Sequence, residues 1–426
     1  MALTVSAWSS SDVGRVRSHN EDRYLIDDEL GLYAVADGMG GHSRGEVASA
    51  LACDVLREQV VQRKDVLAHY RASPSPETAA DVESVLQEAF VRACAEIYEA
   101  SATLATSGRM GTTLDAVLLI NGTAFTAHVG DGRVYMVRSG EAHQITEDHS
   151  LIQEQIKAGV LTEEEAKRSR HRNVITRALG AFPSVLVDLL QVDLAAGDRI
   201  LLCSDGLHGY VAGEELVKLL RAPDADAADD LVNLANHRGG KDNITAVVLS
   251  AERPEDASDE LRIAPAEHID ALRRCELFAV CTYRELVTVA SVAETREYER
   301  GTMIFRQEDR GREVFVVETG SVEILRDGVA LAHLGEADFF GELSFLDSPR
   351  RSASALATSD TRVLVLRGRE FLALLQGEAV LANKLLWRLL IRLSQLLRST
   401  NARVLEQMAS IDTQDLELLE IDLDDR

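Results

Sequence analysis

Much of the first reading comes from what the chain lacks. Among 426 residues there are five cysteines, Cys53, Cys94, Cys203, Cys275 and Cys281, scattered without paired metal-ligand spacing, so reduced packing residues are expected. None is followed six positions later by an arginine, which excludes a thiolate phosphate-binding loop. No P-loop with its lysine is visible either. Basic residues are in short supply: 45 Lys+Arg against 70 Asp+Glu give a formal net charge of −25. Nucleic acid and anionic membrane surfaces would be repelled by that field, and neither is expected as a partner. No uncharged apolar run is long enough to span a bilayer, and Met1 to Ser11 lacks a basic start leading into an apolar core, so a cytoplasmic protein is expected.

The length exceeds one ordinary hydrophobic core, and two domains are the default. From 1 to 250, short β-branched runs alternate with two long helical stretches, one after Ser43 and one after Glu83. Residues 251–267 are polar, hold a proline and show no periodicity, the pattern of a linker. A second domain is expected over 268–409, with a helix near Leu272 to Val289, short strands with glycine turns, and helical runs ending near Met408. The acidic tail, 410–426, alternates leucine or isoleucine with aspartate and glutamate, and is either disordered or docks on a groove.

What is present in quantity is acid, and its placement is informative. Asp37 follows Leu32-Tyr33-Ala34-Val35-Ala36, and Asp205 follows Arg199 to Ser204, both runs that read as buried strands. Asn121-Gly122 signals a hairpin between Leu114 to Ile120 and Thr123 to Val129, whose second arm ends at Gly130-Asp131. Asp242 precedes the apolar run Ile244 to Leu249. Four carboxylates at strand ends are thus expected to converge on one sheet edge, although Asp131 or Asp242 taken singly reads as a turn or cap. Clustered carboxylates repel unless a cation joins them, and all-oxygen ligands indicate Mg2+ or Mn2+. A pair of such ions can lower the pKa of a shared water and neutralise a phosphoryl group under in-line attack. Around Asp37, Gly38-Met39-Gly40-Gly41-His42 lets backbone approach a metal, and Ser43-Arg44-Gly45-Glu46 reads as a capping box.

These residues carry a resemblance. The run Asp12 to Asp22, then Ala36-Asp37-Gly38-Met39-Gly40-Gly41, Gly111-Thr112-Thr113, Gly130-Asp131-Gly132-Arg133, Ser204-Asp205-Gly206-Leu207 and Lys241-Asp242-Asn243, resembles the bacterial 2C-type metal-dependent serine/threonine protein phosphatases over about Ala7 to Ser250. The resemblance implies an α+β fold, a two-sheet β-sandwich flanked by helices, with Mn2+ or Mg2+ at one end. It implies that Asp37 bridges two metals, that the Gly38 carbonyl binds the first, and that Asp205 and Asp242 bind the second. Glu21 and Asp22 would support metal waters, and Arg17 would grip the substrate phosphate through its planar donors. Asp131 would belong to a third, weaker site shared with Asp205. Departures matter here: Gly209 stands where relatives often carry a further aspartate, Gly132 replaces a usual serine, and Met39 occupies the place of a histidine acid in some relatives. Without that acid, protonation of the leaving group is expected to fall to water, and His42, His149 and His208 to be structural. The stretch Asp148 to Pro183 would be a flap, with a basic cluster at Lys167 to Arg172 that either attracts acidic substrates or is simply solvated.

Further on, Phe340-Gly341-Glu342-Leu343-Ser344-Phe345-Leu346 followed by Pro349-Arg350-Arg351-Ser352-Ala353-Ser354 resembles the phosphate-binding cassette of cyclic-nucleotide-binding domains, a β-roll with flanking helices. Over about Ile269 to Met408 the resemblance implies binding of cAMP or cGMP. Gly341 would permit close backbone approach, with Leu343 and Ser344 following in the cassette helix, while Glu342 would accept from the ribose 2′-hydroxyl. Arg351, preferred to Arg350, would neutralise the phosphate, lined by Ser352 and Ala353. Leu385, Leu389, Leu393, Leu396 and Leu397 at helical spacing suggest a lid helix, a homodimer seam or a core helix. The expectation is a protein phosphatase acting on phosphoserine and phosphothreonine and regulated by a cyclic nucleotide. Its rivals are a catalytically weak signalling scaffold, and an active phosphatase whose second domain only dimerises.

Overall fold

Runs of β-branched and apolar residues between turn residues form the strands β1 (Thr4–Asp12), β2 (Asp22–Asp27), β3 (Leu32–Met39), β4 (Gly111–Thr112), β5 (Leu114–Ile120), β6 (Thr123–Val129), β7 (Arg133–Arg138), β8 (Glu141–Gln144), β9 (Asp188–Asp193), β10 (Arg199–Cys203) and β11 (Ile244–Glu252). The computed structural model describes residues 3–40, 44–103, 109–166, 169, 174–211, 213–221, 226–252, 264–346 and 350–421. Two compact units emerge, Met1–Glu267 and His268–Arg426.

In the first unit the strands pair antiparallel into two sheets, ordered β1-β11-β10-β7-β8 and β2-β3-β5-β6-β9, with β4 on β3. Asn121 and Gly122, with φ of 53° and 83°, make the expected turn between β5 and β6. The sheets lie face to face, β10 and β11 against β2, β3 and β5. Helices Arg44–Gln62 and Pro76–Thr103 cover the outer face of one sheet, and Ala227–His237 covers that of the other. Strand alternation then sorts the residues. Leu32, Ala34 and Ala36 pack under the helices, as do Leu114, Ala116 and Leu118. Tyr33, Val35 and Asp37, and likewise Asp115, therefore point between the sheets. With both faces covered, the strands are apolar nearly throughout, which is why they were readable.

Some boundaries differ from expectation. The second long helix begins at Pro76, not after Glu83, because proline suits the first helical turn where its missing N–H costs nothing. The single helix expected near Leu272 to Val289 is two, Ala264–Arg274 and Tyr283–Ala290, with a 3₁₀ turn Glu276–Phe278 between them. A capping box starts the second: Thr282 Oγ1 accepts from Glu285 N at 3.3 Å and Glu285 Oε2 accepts from Thr282 N at 2.7 Å. Ser43 of the other expected capping box, and 253–263 of the expected linker, lie outside the described residues.

The second unit holds β12 (Ala293–Tyr298), β13 (Met303–Phe305), β14 (Val314–Thr319), β15 (Val322–Arg326), β16 (Val329–Leu334), β17 (Phe339–Phe340), β18 (Ser354–Ala357) and β19 (Thr361–Leu366). They form two four-stranded sheets, β12-β19-β14-β17 and β13-β18-β15-β16, around a small core that includes Phe315, Val317, Phe340, Val363 and Val365. This is the expected β-roll. Helix Gly368–Gly377 follows, then helix Ala379–Ile421, which runs past Met408 into the acidic segment. No helix among the described residues is long and apolar enough to cross a membrane.

Candidate active site

Asp37 stands near the end of β3, directly opposite Asp22 of β2 in the strand register. The threonines of Gly111-Thr112-Thr113 hold its backbone: Thr113 Oγ1 accepts from Asp37 N at 2.9 Å, and the Asp37 carbonyl accepts from Thr113 N and Thr112 Oγ1, each at 2.9 Å. Next in chain, Gly38 has no room for a side chain, since a Cβ there would lie 2.1 Å from Gly45 O. Asp205 opens the short helix Asp205–His208 beyond β10, and Asp242 precedes β11.

These residues meet. A cavity of about 470 Å3 is lined by Arg17, Glu21, Asp37, Gly38, Asp131, Asp205 and Asp242, together with Ser18, His19, Met39, Gly40, Ile175 and Asn243. Asp22 is not among them. It is buried beneath, where its Oδ2 accepts from Ser204 Oγ at 2.7 Å, so it sits under Asp37 and Asp205 without facing the cavity. Arg17 donates to Asp242 Oδ2 at 2.7 Å with half its side chain exposed, and that hydrogen bond holds the guanidinium more firmly protonated. From the flap segment Ile175 reaches the cavity; of the basic cluster, Lys167, Arg168, Arg170, His171 and Arg172 lie outside the described residues.

Burial dominates the electrostatics. It pushes the Asp37 carboxyl well above the usual carboxylate range, with Asp22, Asp205 and Asp131 adding repulsion. Asp22 is raised to about 7 by burial despite its hydroxyl partners, and Asp131 to about 7 by burial and then Asp205. Asp205 is raised by burial and Asp242.

The sequence reading overlooked Asn243 as a site residue. Its amide oxygen accepts from Glu21 N at 2.8 Å, and its amide nitrogen donates to Val13 O at 3.0 Å and His19 O at 2.9 Å. One buried side chain thereby ties the Arg17 loop to Asp242. Its place in Lys241-Asp242-Asn243 was the available signal. Asn243→Ala removes the partner of three part-buried backbone groups, so a loss of about 1–3 kcal/mol in denaturant unfolding and a several-fold higher KM for a phosphopeptide are expected.

In the second unit, Gly341 adopts φ of 85° and leads into helix Glu342–Leu346. Burial pushes the Glu342 carboxyl up, Leu343 and Ser352 are exposed, and Ser344 and Ala353 are buried. Arg351 is only 3% exposed, whereas Arg350 is exposed, which favours Arg351 for a pocket role. Yet its guanidinium is already engaged. Nη2 donates to Glu313 Oε2 at 2.5 Å, and Nη1 donates to Ser344 Oγ at 2.8 Å and Glu313 O at 2.9 Å. The Phe305 ring lies 4.3 Å beneath it. Glu313 was not expected; an acid opening an apolar strand gives little warning of its partner.

A family model described as Protein phosphatase 2C matches residues 15–261, more than half of the chain. The chain belongs to the protein phosphatase 2C family. The serine/threonine phosphatase stp of Listeria monocytogenes is 34% identical over 254 residues, covering 58% of this chain and 97% of its own. The Mycobacterium tuberculosis serine/threonine phosphatase PstP/Ppp matches in structure with 35% identity and TM-score 0.52, over 59% of this chain and all of that one. The catalytic domain of PstP in complex with two manganese ions matches with 34% identity and TM-score 0.50, over 59% and 100%. A second model, the cyclic nucleotide-binding domain, matches residues 295–378. The enzyme is thus a metal-dependent protein serine/threonine phosphatase joined to a cyclic-nucleotide-binding domain.

Do the residues of this 2C phosphatase suit the family's metals? Among the described residues no group of three or more histidine, cysteine or acidic side chains stands ready to hold an ion. The carboxylates border the cavity without closing on one point, and Asp242 is turned onto Arg17. The donor set nevertheless fits hard divalent cations. Asp205 Oδ1 and Asp22 Oδ1 are buried without a hydrogen-bond partner, and mutually repelling carboxylates face one another across β2 and β3.

Proposed function

We propose that this 2C phosphatase hydrolyses phosphoserine and phosphothreonine in proteins using two Mn2+ or Mg2+ ions held by Asp37, the Gly38 carbonyl, Asp205 and Asp242. Asp131 would serve a weaker third site with Asp205, Glu21 would hydrogen-bond metal waters, and Asp22 would support Asp37 from below. Bound there, the ions supply a water of lowered pKa and neutralise phosphoryl oxygens. Arg17, now bonded to Asp242, would orient the substrate phosphate through its planar donors. What supports this reading is the meeting of Arg17 and four aspartates from distant parts of the chain on one cavity. The two manganese ions in the PstP structure agree with it. Hydrolysis of a phosphoserine peptide with and without Mn2+ is the test, and equal rates after chelation would end the metal reading.

Regulation by cAMP or cGMP is the second half of the proposal, since a nucleotide bound to the second domain can act on catalysis only if it favours one arrangement of the enzyme over another. Adding each nucleotide to the assay decides it: unchanged turnover at demonstrated saturation removes the switch.

A homodimer through helix Ala379–Ile421 is also proposed, with a changed seam. Leu385 and Leu389 are buried within their own unit, while Leu386, Leu390 and Leu397 are 48%, 57% and 63% exposed and Trp387 is 67% exposed. Leu386, Leu390, Leu393 and Leu397 follow the four-three-four spacing of a two-stranded coiled coil. Light scattering is expected to give twice the mass of one chain, and Leu390→Glu to return it to one.

A further inference from the structure

We infer that His149 and His208 are positioning residues that clamp the Gly130-Asp131 peptide from two sides and so aim the Asp131 carboxylate into the cavity. The inference rests on the reading of Asp131 as a ligand of the third metal site. Asp131 lies between β6 and β7 in a bend where Gly130 has φ of 125°, so no strand ladder fixes its direction. Hydrogen bonds from histidines take that role. His149 N donates to Gly130 O at 2.7 Å, and Gly130 N donates back to His149 Nδ1 at 3.1 Å. On the other side His208 Nε2 lies 2.9 Å from Asp131 O.

The chemistry of its partner assigns the His208 ring one tautomer. A backbone carbonyl can only accept, so His208 carries its proton on Nε2. A backbone N–H can only donate, so His149 Nδ1 acts as the acceptor, and its Nε2 lies 3.0 Å from Arg177 Nη1 and 3.4 Å from Asp188 Oδ1. Through the same residue the bend is joined to the flap segment: Thr176 N donates to His149 O at 2.8 Å, and Arg177 Nη1 lies beside His149 Nε2 while donating to Asp188 Oδ1 at 2.8 Å. Ile175, which directly precedes Thr176 in the chain, lines the cavity. The neighbourhood leaves little slack, because a Cβ at Gly132 would lie 2.0 Å from Asp115 Oδ2, so the serine usual in relatives has no space here. Gly209 offers no carboxylate to share a third ion. Asp131 must then be aimed by its own backbone, and His208 is the residue next to that gap.

Calorimetric titration of the full-length protein with Mn2+ tests the clamp, alongside phosphopeptide kinetics and thermal melting. His208→Leu and, independently, His149→Phe are expected to weaken the weakest Mn2+ site by about tenfold or more, leave the tighter sites unchanged, and lower kcat without raising KM. His208→Gln can donate an amide hydrogen to the same carbonyl, and His149→Asn can accept at the Nδ1 position; both are expected to restore most of the loss. Parental Mn2+ affinity at every site in folded His208→Leu and His149→Phe, while Asp131→Asn loses the weakest site, overturns the clamp alone. Unchanged Mn2+ binding in Asp131→Asn overturns the reading of Asp131 and the clamp with it.

Discussion

Asp37→Asn is expected to reduce phosphopeptide hydrolysis by about a thousandfold or more, while the metal-free variant melts at a higher temperature than its parent. Both effects follow from one carboxylate. Transition-state charge stabilisation by bound metal amounts to several kcal/mol, and about 4 kcal/mol corresponds to a thousandfold in rate. On the proposed metal reading, an amide at this position would supply neither the negative charge nor a second anionic oxygen to hold the ions. In the absence of metal the same group is a liability: Asp37 is buried opposite Asp22 and near Asp205, and burial with repulsion resists its ionisation. Asparagine keeps the shape and removes the charge. Each kcal/mol relieved is expected to raise the melting temperature by about 2–4 °C. Manganese, which binds the native state and so stabilises the parent, is expected to shift the variant far less. A variant that loses activity and also melts lower would mean that Asp37 serves packing, not a metal. Asp131→Asn is expected to cost less activity than Asp37→Asn, since on the proposed reading Asp131 would serve only the weaker third site.

What the sequence disclosed and what it withheld divide along the range of the interactions. The β5–β6 hairpin was legible because Asn121-Gly122 carries the whole instruction in two residues. The strand runs before Asp37 and Asp205 were legible because both sheet faces are covered. Helix starts at Pro76 and Thr282 had local signals of the same kind, proline in a first turn and a Thr-x-x-Glu box, which apolar spacing alone did not weigh. By contrast, β1 pairs with β11 across more than two hundred residues, and no local chemistry announces that register. The same limit applies to Asp22. Its sequence position beside Glu21 suggests a shared role, but Glu21 reaches the cavity from just before β2, while Asp22, opposite Asp37 within β2, is buried beneath it. Asn243 stood in a motif already noted, yet only the folded loop brings Val13, His19 and Glu21 within reach of one amide. Leu385 and Leu389 share a heptad with exposed leucines and differ only in what the rest of their domain covers.

The second domain supplies the other large expected effect. Arg351→Ala is expected to weaken cAMP or cGMP binding by about a hundredfold or more, and Glu313→Gln to tighten it by about tenfold. The arginine is held over the Phe305 ring, with Ser344 of the cassette and Glu313 as polar partners. A cyclic phosphate that sought this guanidinium would compete with the Glu313 carboxylate for the same donors. Planar guanidinium donors suit either anion, so occupancy turns on which one is cheaper to desolvate and better aligned. Glutamine at 313 retains a hydrogen-bond acceptor and the side-chain length but gives up the ion pair, which lowers the cost of exchange; about 1.4 kcal/mol is tenfold in Kd. Removing Arg351 does the opposite, leaving the phosphate without a cation and Glu313 half-buried without its partner. Calorimetry with both nucleotides on the two variants separates the possibilities. Weaker binding in Glu313→Gln would mean that the glutamate positions Arg351 for the ligand instead of competing with it. Parental affinity in Arg351→Ala would mean that the phosphate, if bound, lies elsewhere. The order of affinities Glu313→Gln, parent, Arg351→Ala is the outcome that identifies the pair as the gate of the nucleotide site, and it would make catalytic response to nucleotide strongest in the variant whose gate is already open.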